Sequence, residues 1–252
     1  MGSQPTRTGA VQVTVRDRAI LAWAGRQRFV TPQVLALRPW ARGEFGSAEM
    51  GLSSGWVDAR TLRARLYRLR AAGLVMNRRF FYEGSSAWTV TAKGLREGGL
   101  QLPPASIDIR TYEHDLRLAI LCAELEGQYP DYRVLTEREI KAIDTGVLDP
   151  IYGPGSLGSS GIVKKLHYPD LAVDPKTGER PLAIELELTP KSPARLRSIM
   201  DLYKRAHRLS GVRYYVDDDL TENAVRRAMV RSEVNEHREI AVVRRVERQR
   251  LA

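Results

Sequence analysis

Apolar and charged residues alternate along residues 182–188, LAIELEL, in the second half of the chain. A period of two is typical of a half-buried β-strand, and it places Glu185 and Glu187 on one face. The apolar run LAVDP precedes this strand, and the Pro-, Thr- and Gly-containing segment between them predicts a tight reversal. Asp170 begins the first strand of this predicted hairpin, so strand pairing would bring three carboxylates together.

The first third of the chain shows helical periodicity instead. Apolar residues recur at helical spacing from Thr14, after the Thr31-Pro32 pair and after Asp58, and Thr31 and Asp58 suit a helix N-cap. A Gly- and Ser-rich segment, residues 43–56, predicts a loop before the third helix. Two strand-like runs, MNRRFFYEG and SSAWTVTAKG, then predict a β-hairpin.

A second set of elements follows the segment LQLPPASIDI, in which two consecutive prolines favour an extended chain. Its predicted order is helix, three strands, helix, strand, helix, strand, beginning with a helix over residues 114–126. We therefore predict a flexible tail at residues 1–12, a first domain at 13–100, a linker at 101–110 and a second domain at 111–252.

The net charge of +10 arises entirely before Ala105. Up to Pro104 there are 16 Lys and Arg against 6 Asp and Glu, and from Ala105 onward there are 24 of each. A basic region joined to a neutral, acid-bearing one indicates that one part of the chain binds a polyanion, and nucleic acid is the leading candidate.

The cations with the fewest neighbouring acids lie on the predicted third helix and on the hairpin. Asp58 is the only acid between Gly51 and Tyr82, so we expect these cations to contact double-stranded DNA, where arginine forks onto guanine edges and phosphates. A solvated helix face is the alternative. The candidates are Arg60, Arg63, Arg65 and Arg68 on the helix, and Arg78, Arg79 and Lys93 on the hairpin.

Composition narrows the class of protein further. A hydrophobic content of 43% and a charged content of 28% are ordinary for a globular protein. The single cysteine, Cys122, allows neither a disulfide nor a cysteine-based zinc site. No apolar run is long enough to cross a bilayer and the polar N-terminus is not a signal peptide, so we expect a cytoplasmic protein without membrane contact.

The three carboxylates, Asp170, Glu185 and Glu187, would repel one another on a shared face. Oxygen ligands suit Mg²⁺ or Mn²⁺, either of which would compensate their charge. An amphipathic strand with a solvated acidic face is the alternative. Glu113 and His114, at the head of the helix that opens the second domain, are further candidates for this site, with helix capping as the simpler interpretation.

Two known architectures share these patterns. Three helices and a hairpin, with an arginine-rich third helix, resemble the winged helix-turn-helix, in which the third helix enters the major groove. Pro-Asp on one strand and Glu-x-Glu on the next, within this order of elements, resemble the PD-(D/E)xK nuclease superfamily. Together the resemblances imply an α+β or α/β fold, with a winged helix followed by a nuclease-like mixed sheet flanked by helices.

The nuclease resemblance implies roles for particular residues. Asp170 and Glu185 match the positions that hold the metal, whereas Glu187 occupies the position of a lysine that orients or activates the attacking water. Glu187 could be a third metal ligand or a general base, and Lys191 is the nearest lysine that could swing back. Alternatively, hydrolysis has been lost and only binding remains. The candidate catalytic residues are Asp170, Glu185, Glu187 and Lys191.

Nearly the whole chain resembles the replication-relaxation family of plasmid and integrative-element proteins, through the winged helix, PDLAV, IELELT and the basic helix that follows. The resemblance implies a role in replication or mobilisation of mobile DNA, with replication or conjugation proteins as partners. We expect a metal-dependent DNA endonuclease or nickase. The alternatives are a non-catalytic DNA-binding regulator or accessory factor and, third, an RNA-processing nuclease. A homodimer stays open, since no zipper or exposed apolar helix argues for one.

Overall fold

The chain divides into two compact units, Met1–Arg110 and Thr111–Ala252. Both combine helices with β-structure, so the protein is of the mixed α+β class. None of the helices in the described ranges is long and apolar enough to cross a membrane. Most of the predicted tail and the predicted loop at 43–56 lie outside the described residues. The computed structural model describes residues 12–38, 58–82, 84–145, 151–153, 155–156, 166–234 and 241–245.

The first unit follows the predicted series of helices and hairpin. Its helices begin at polar caps, because Thr14, Thr31 and Asp58 each accept a hydrogen bond from the backbone N–H three residues later. The two strands pair antiparallel, and a single bridge between Val30 and Trp88 extends the pairing. The described elements are α1 (Val15–Arg26), α2 (Pro32–Ala36), α3 (Ala59–Ala71), β1 (Val75–Arg78), β2 (Ala87–Val90) and α4 (Ala92–Glu97).

The helix α4 is not predicted by the sequence pattern, in which SSAWTVTAKG forms one strand. β2 instead ends at Val90, and Thr91 caps α4 by accepting a hydrogen bond from the Gly94 N–H. Glycine allows close packing there, because a Cβ at Gly94 would lie 2.0 Å from the carbonyl oxygen of Leu74. Lys93 therefore lies on a helix, and its assignment to the hairpin is corrected.

The second unit alternates strands and helices along most of its length. A short 3-10 helix, Ile109–Thr111, leads into it. Its described elements are α5 (Tyr112–Gln128), β3 (Arg133–Thr136), α6 (Glu137–Asp144), β4 (Gly155–Ser156), β5 (Leu166–His167), β6 (Leu171–Asp174), β7 (Leu182–Glu187), α7 (Pro193–Arg205), β8 (Gly211–Val216), α8 (Asp219–Arg231) and β9 (Ala241–Arg245).

A five-stranded mixed sheet with the order β3-β6-β7-β8-β9 forms the centre of this unit. The pairs β3–β6 and β6–β7 are antiparallel, whereas β7–β8 and β8–β9 are parallel. Helices α7 and α8 connect the parallel strands, as crossover connections require. β4 and β5 pair separately from this sheet.

Helices cover both faces of the sheet and fix the directions of its side chains. Ile184 of β7 packs with Leu121 of α5 on one face, and Ala183 packs with residues of α7 and α8 on the other. Because side chains alternate along a strand, Glu185 and Glu187 point to the same face as Ala183. The two glutamates therefore lie under α7 and α8 and not in solvent.

The order of elements departs from the prediction at α6. Thr136 ends β3 and begins this helix through a capping box with Glu139. Asp144 ends the helix, and its buried carboxylate accepts hydrogen bonds from the backbone N–H groups of residues 151–153 at 2.9–3.0 Å. The chain after Ile140 is thus helical as far as Asp144, and residues 151–153 are anchored to the end of this helix.

Candidate functional site

The candidate site lies where β6 and β7 separate. Their last backbone pair joins Leu171 and Ile184. Beyond it, the backbone N–H and carbonyl groups of Leu186 contact side chains instead of the neighbouring strand. The Leu186 N–H donates to Oδ2 of Asp170 at 2.8 Å. His114, from the first turn of α5, places Nε2 3.2 Å from the Leu186 carbonyl oxygen and 3.5 Å from Oδ2 of Asp170. The backbone of β7 thus fixes both side chains.

Glu185 is held by two side chains that sequence patterns do not assign to the site. It is only 2% exposed, and its Oε1 accepts a hydrogen bond from the Tyr203 hydroxyl and lies 2.8 Å from Nε2 of His167. Burial and the charge of Glu185 raise the pKa of Tyr203 well above 10, so its phenol stays protonated and can donate. Tyr203 had a detectable signal: a polar tip in an apolar position of α7.

Glu187 is paired with the lysine that lies four residues later. Its carboxylate is 3% exposed, and Nζ of Lys191 donates to Oε1. Burial raises the pKa of Glu187, Lys191 opposes the rise, and the charges of Glu185 and Asp170 add to it, giving a value of about 7. Lys191 does swing back toward the strand, although it lies beyond its end.

Two cations balance the acids of this cluster. Burial alone would lower the pKa of His114, but its contacts with Asp115, Asp170 and the Leu186 carbonyl raise it to about 10. Burial would likewise lower the pKa of Lys191, and the nearby carboxylates raise it instead. Both side chains therefore carry a positive charge at neutral pH. Burial would raise the pKa of Asp170, whereas the hydrogen bond and charge of His114 lower it.

The residue types at this site fit a divalent cation. Within the described ranges, no donor meets the second oxygen of Asp170, Glu185 or Glu187. The hydroxyl of Tyr214, on β8, is fully buried within reach of the charges of these acids, yet it has no hydrogen-bond partner among the described residues. A buried polar group of this kind normally has a partner, and a water molecule of a hydrated cation would supply one.

The residue types suit a divalent cation, but their present spacing does not. In the part of the chain that the structure describes, no group of three or more His, Cys, Asp or Glu side chains is close enough together to hold a metal ion. The ammonium group of Lys191 gives a physical reason, since it pairs with Glu187 and is attracted by Glu185 and Asp170. An internal cation thus supplies part of the compensation expected from a metal.

Of the two further candidates, only His114 reaches the cluster. Glu113, in the same turn, pairs elsewhere: its carboxylate accepts a hydrogen bond from Arg117 at 2.8 Å and its side chain is 61% exposed. An i, i+4 ion pair of this kind is a common surface feature of helices. We therefore remove Glu113 from the site.

The cations predicted to bind DNA differ in their contacts within the first unit. α3 buries Leu62, Leu66 and Leu69 at helical spacing. Lys93, outside the hairpin, donates to the Ala72 carbonyl oxygen at 3.0 Å and so caps the end of α3. The guanidinium of Arg78 lies 5.0 Å from the centre of the Phe80 ring. Exposed arginines remain at five of the predicted positions: Arg60, Arg63, Arg68, Arg78 and Arg79.

Arg65 is half-buried and pairs with an acid of its own unit. Its Nε and Nη2 donate to the two oxygens of Asp17, which is fully buried in α1. Thr14 donates to the same carboxylate through its N–H at 2.7 Å and its hydroxyl at 2.8 Å. Burial would raise the pKa of Asp17, but these hydrogen bonds lower it. Arg65 therefore ties α3 to α1, and its role in DNA binding stays a prediction.

Comparison with known proteins adds no assignment. The chain matches no protein-family model, no curated protein and no solved structure. The function must be argued from the geometry of the two units.

Proposed function

We propose that this protein binds double-stranded DNA through its first unit and hydrolyses a phosphodiester bond at the carboxylate cluster of its second unit, with Mg²⁺ or Mn²⁺. The observation that carries the proposal is the gathering of the buried Glu185 and Glu187 with the half-buried Asp170 beside Lys191. Such a cluster costs stability, and strongly perturbed carboxyl groups are concentrated at functional sites.

The fold of each unit supports the proposal. The order of α1, α2, α3, β1 and β2, with the bridge from Val30 to β2, agrees with the winged helix that the sequence resembles. In the second unit, three antiparallel strands are followed by a helix and a parallel strand, with Asp170 before β6 and Glu185 on β7. This agrees with the PD-(D/E)xK resemblance, apart from the inserted α6.

The residues of the chain would divide the chemistry as follows. Asp170, Glu185 and Glu187 would hold the cation, which supplies an acidified water molecule and neutralises charge on the phosphate. Lys191 offers an ammonium group despite the glutamate at the usual lysine position. Glu187 would be the general base only if Asp170 and Glu185 hold the cation without it, and its pKa of about 7 without metal suits it to accept a proton near neutral pH. His114 holds Asp170 ionised and in place.

A second function has its own support. The Lys191–Glu187 ion pair, and the lack of three gathered ligands in the described ranges, favour a non-catalytic DNA-binding regulator or accessory factor. Either function suits a cytoplasmic protein of mobile-element replication or mobilisation, with replication or conjugation proteins as partners. That setting follows from the replication-relaxation resemblance alone.

Nicking of supercoiled plasmid, with calorimetric titration of Mg²⁺ and Mn²⁺, tests the catalytic proposal. We expect the parent to bind metal and nick DNA, and Asp170→Asn to lose both while still binding DNA. Glu179→Gln, an exposed acid on the turn between β6 and β7, is the matched control and should behave like the parent. DNA binding without metal uptake or nicking would reject catalysis and leave the regulator.

DNA binding by the first unit is tested separately. Arg63→Ala and Arg68→Ala should each weaken binding, and each should reduce the slope of log affinity against log salt by about one if the side chain neutralises a phosphate. Arg96→Ala, an exposed cation of α4, is the control. Equal slopes in all four proteins would place the DNA elsewhere.

A further inference from the structure

A cleft lies between the start of α7 and the C-terminal half of α8. It encloses about 540 Å³, part of it open to solvent. Its walls are apolar, from Pro193, Leu196 and Ala224 among others, and its charged lining consists of Lys191, Arg227 and Arg231. No described acid lines it. The cleft is therefore a positively charged groove in a unit whose formal charges sum to zero.

The two arginines of this cleft are not neutralised within the described part of the chain. Arg227 donates from Nε to the Asn223 carbonyl oxygen at 3.1 Å, and Arg231 makes no hydrogen bond or ion pair with a described residue. Their neighbour Arg226 instead pairs with Glu222 at 2.9 Å. Arg227 and Arg231 are four residues apart, so both face α7. On α8, Arg226 is thus paired with an acid, whereas Arg227 and Arg231 remain available to an anion.

Lys191 connects the cleft to the carboxylate cluster. Its side chain lines the groove, and its ammonium group contacts Glu187. The N-terminus of α7, a helix of 13 residues beginning at Pro193, opens at the same place and adds the partial positive charge of the helix dipole. A ligand that fills the groove would therefore end beside the acids.

We propose that this cleft binds the phosphate backbone of the DNA strand that flanks the phosphodiester held at the carboxylate cluster. Arg227 and Arg231 contact phosphates, Lys191 lies next to the reacting phosphate, and the apolar walls contact the sugars. This inference rests on the proposed function, because the location of the cleft has meaning only if DNA reaches the cluster.

The test is the salt dependence of DNA binding by the full chain, measured by fluorescence anisotropy on a short duplex. Arg227→Gln/Arg231→Gln should bind more weakly and lower the slope of log affinity against log salt by about two. Lys176→Gln/Arg205→Gln is the control. It removes one exposed cation from the turn between β6 and β7 and one from the C-terminal end of α7, whereas the cleft is at the start of α7. The slope should then stay within about 0.5 of the parent value. Arg231→Gln alone, which breaks no described contact, should lower the slope by about one.

A slope equal to that of the parent in both cleft variants would overturn the proposal. Inorganic phosphate separates a backbone site from a small-anion site. If phosphate binding is lost in the cleft variants while their DNA slope is unchanged, the cleft takes only small anions and the proposal is wrong. A lowered slope in a protein that never nicks DNA would retain the cleft and reject catalysis alone, so the two failures are distinguishable.

Discussion

Each unit of the protein contains a buried acid–base pair, and the two pairs differ in their surroundings. Asp17 is fully buried and accepts hydrogen bonds from Arg65 at both oxygens and from Thr14, so its pKa is lowered. Glu187 is nearly as buried but accepts from Lys191 at one oxygen, and burial, with a smaller contribution from neighbouring acids, raises its pKa to about 7. One carboxylate is fully compensated and the other is not.

The difference separates an internal bond of the fold from a group available for chemistry. A buried charge stabilises a fold only if its interactions with partner groups outweigh the free-energy cost of removing the charge from water. Asp17 meets that condition, because four donors surround it and it binds α3 to α1. Glu187 does not, because Glu185 and Asp170 oppose its ionisation. The second unit therefore maintains a carboxylate that is easily protonated, and this supports a functional role for it.

The largest effect is expected from breaking the ion pair between Asp17 and Arg65. Arg65→Met keeps the aliphatic stem of the side chain but leaves Asp17 buried without its main partner, which costs about 3–5 kcal/mol. All four tryptophans lie in the first unit, so urea unfolding followed by tryptophan fluorescence reports on that unit. Arg63→Met, at an exposed position of the same helix, should change the free energy of unfolding by no more than about 0.5 kcal/mol. Similar losses in both variants would mean that the ion pair does not hold α3.

The second effect is a difference in pH dependence between the two carboxylates. The folded pKa of Glu187, about 7, is above the ordinary 4.5, so the folded state binds the extra proton and stability falls as pH rises between these values. Relative to Glu187→Gln, the parent should lose on the order of 2–3 kcal/mol from pH 4.5 to 7 and nothing further above. Urea unfolding followed by circular dichroism measures the difference.

The same measurement on Asp17→Asn sharpens the contrast. A lowered folded pKa stabilises the parent above the ordinary value of 3.8, and this stability is lost only as pH falls through the folded pKa. The difference between the parent and Asp17→Asn should therefore be constant from pH 5 to 8. If the difference in free energy of unfolding between parent and Glu187→Gln were as independent of pH as that between parent and Asp17→Asn, Glu187 would be as well compensated as Asp17.

Sequence patterns predict the local parts of this fold well. The predicted caps at Thr31 and Asp58 depend on short-range hydrogen bonds, and alternation along β7 depends on strand geometry. The α4 and α6 helices were missed for the same reason: each begins at a threonine directly after a strand, at Thr91 and Thr136. A run of β-formers that ends in a cap resembles a longer strand until the cap is considered.

For the candidate site, the sequence predicts only contacts between residues that are close together along the chain. The meeting of Glu187 and Lys191 follows from four residues of separation. Tyr203 instead reaches Glu185 from α7 and His167 reaches it from β5, through packing that no local pattern contains. Arg65 shows the same limit, because it lies beside the buried stripe of α3 and its partner is 48 residues away.

The smallest effects should come from two buried tyrosine hydroxyls, one with a described partner and one without. Tyr203→Phe removes a donor to Glu185 and should cost about 1–3 kcal/mol, because the buried carboxylate loses a hydrogen bond. Tyr214→Phe should cost less than about 0.5 kcal/mol without metal, since no described group accepts from that hydroxyl. Thermal unfolding with and without Mg²⁺ measures both. If the Tyr214 hydroxyl contacts water bound to a cation, Tyr214→Phe will gain less stability from Mg²⁺ than the parent does. An equal gain in both proteins would place the cation away from Tyr214, and no gain in either would favour the non-catalytic function.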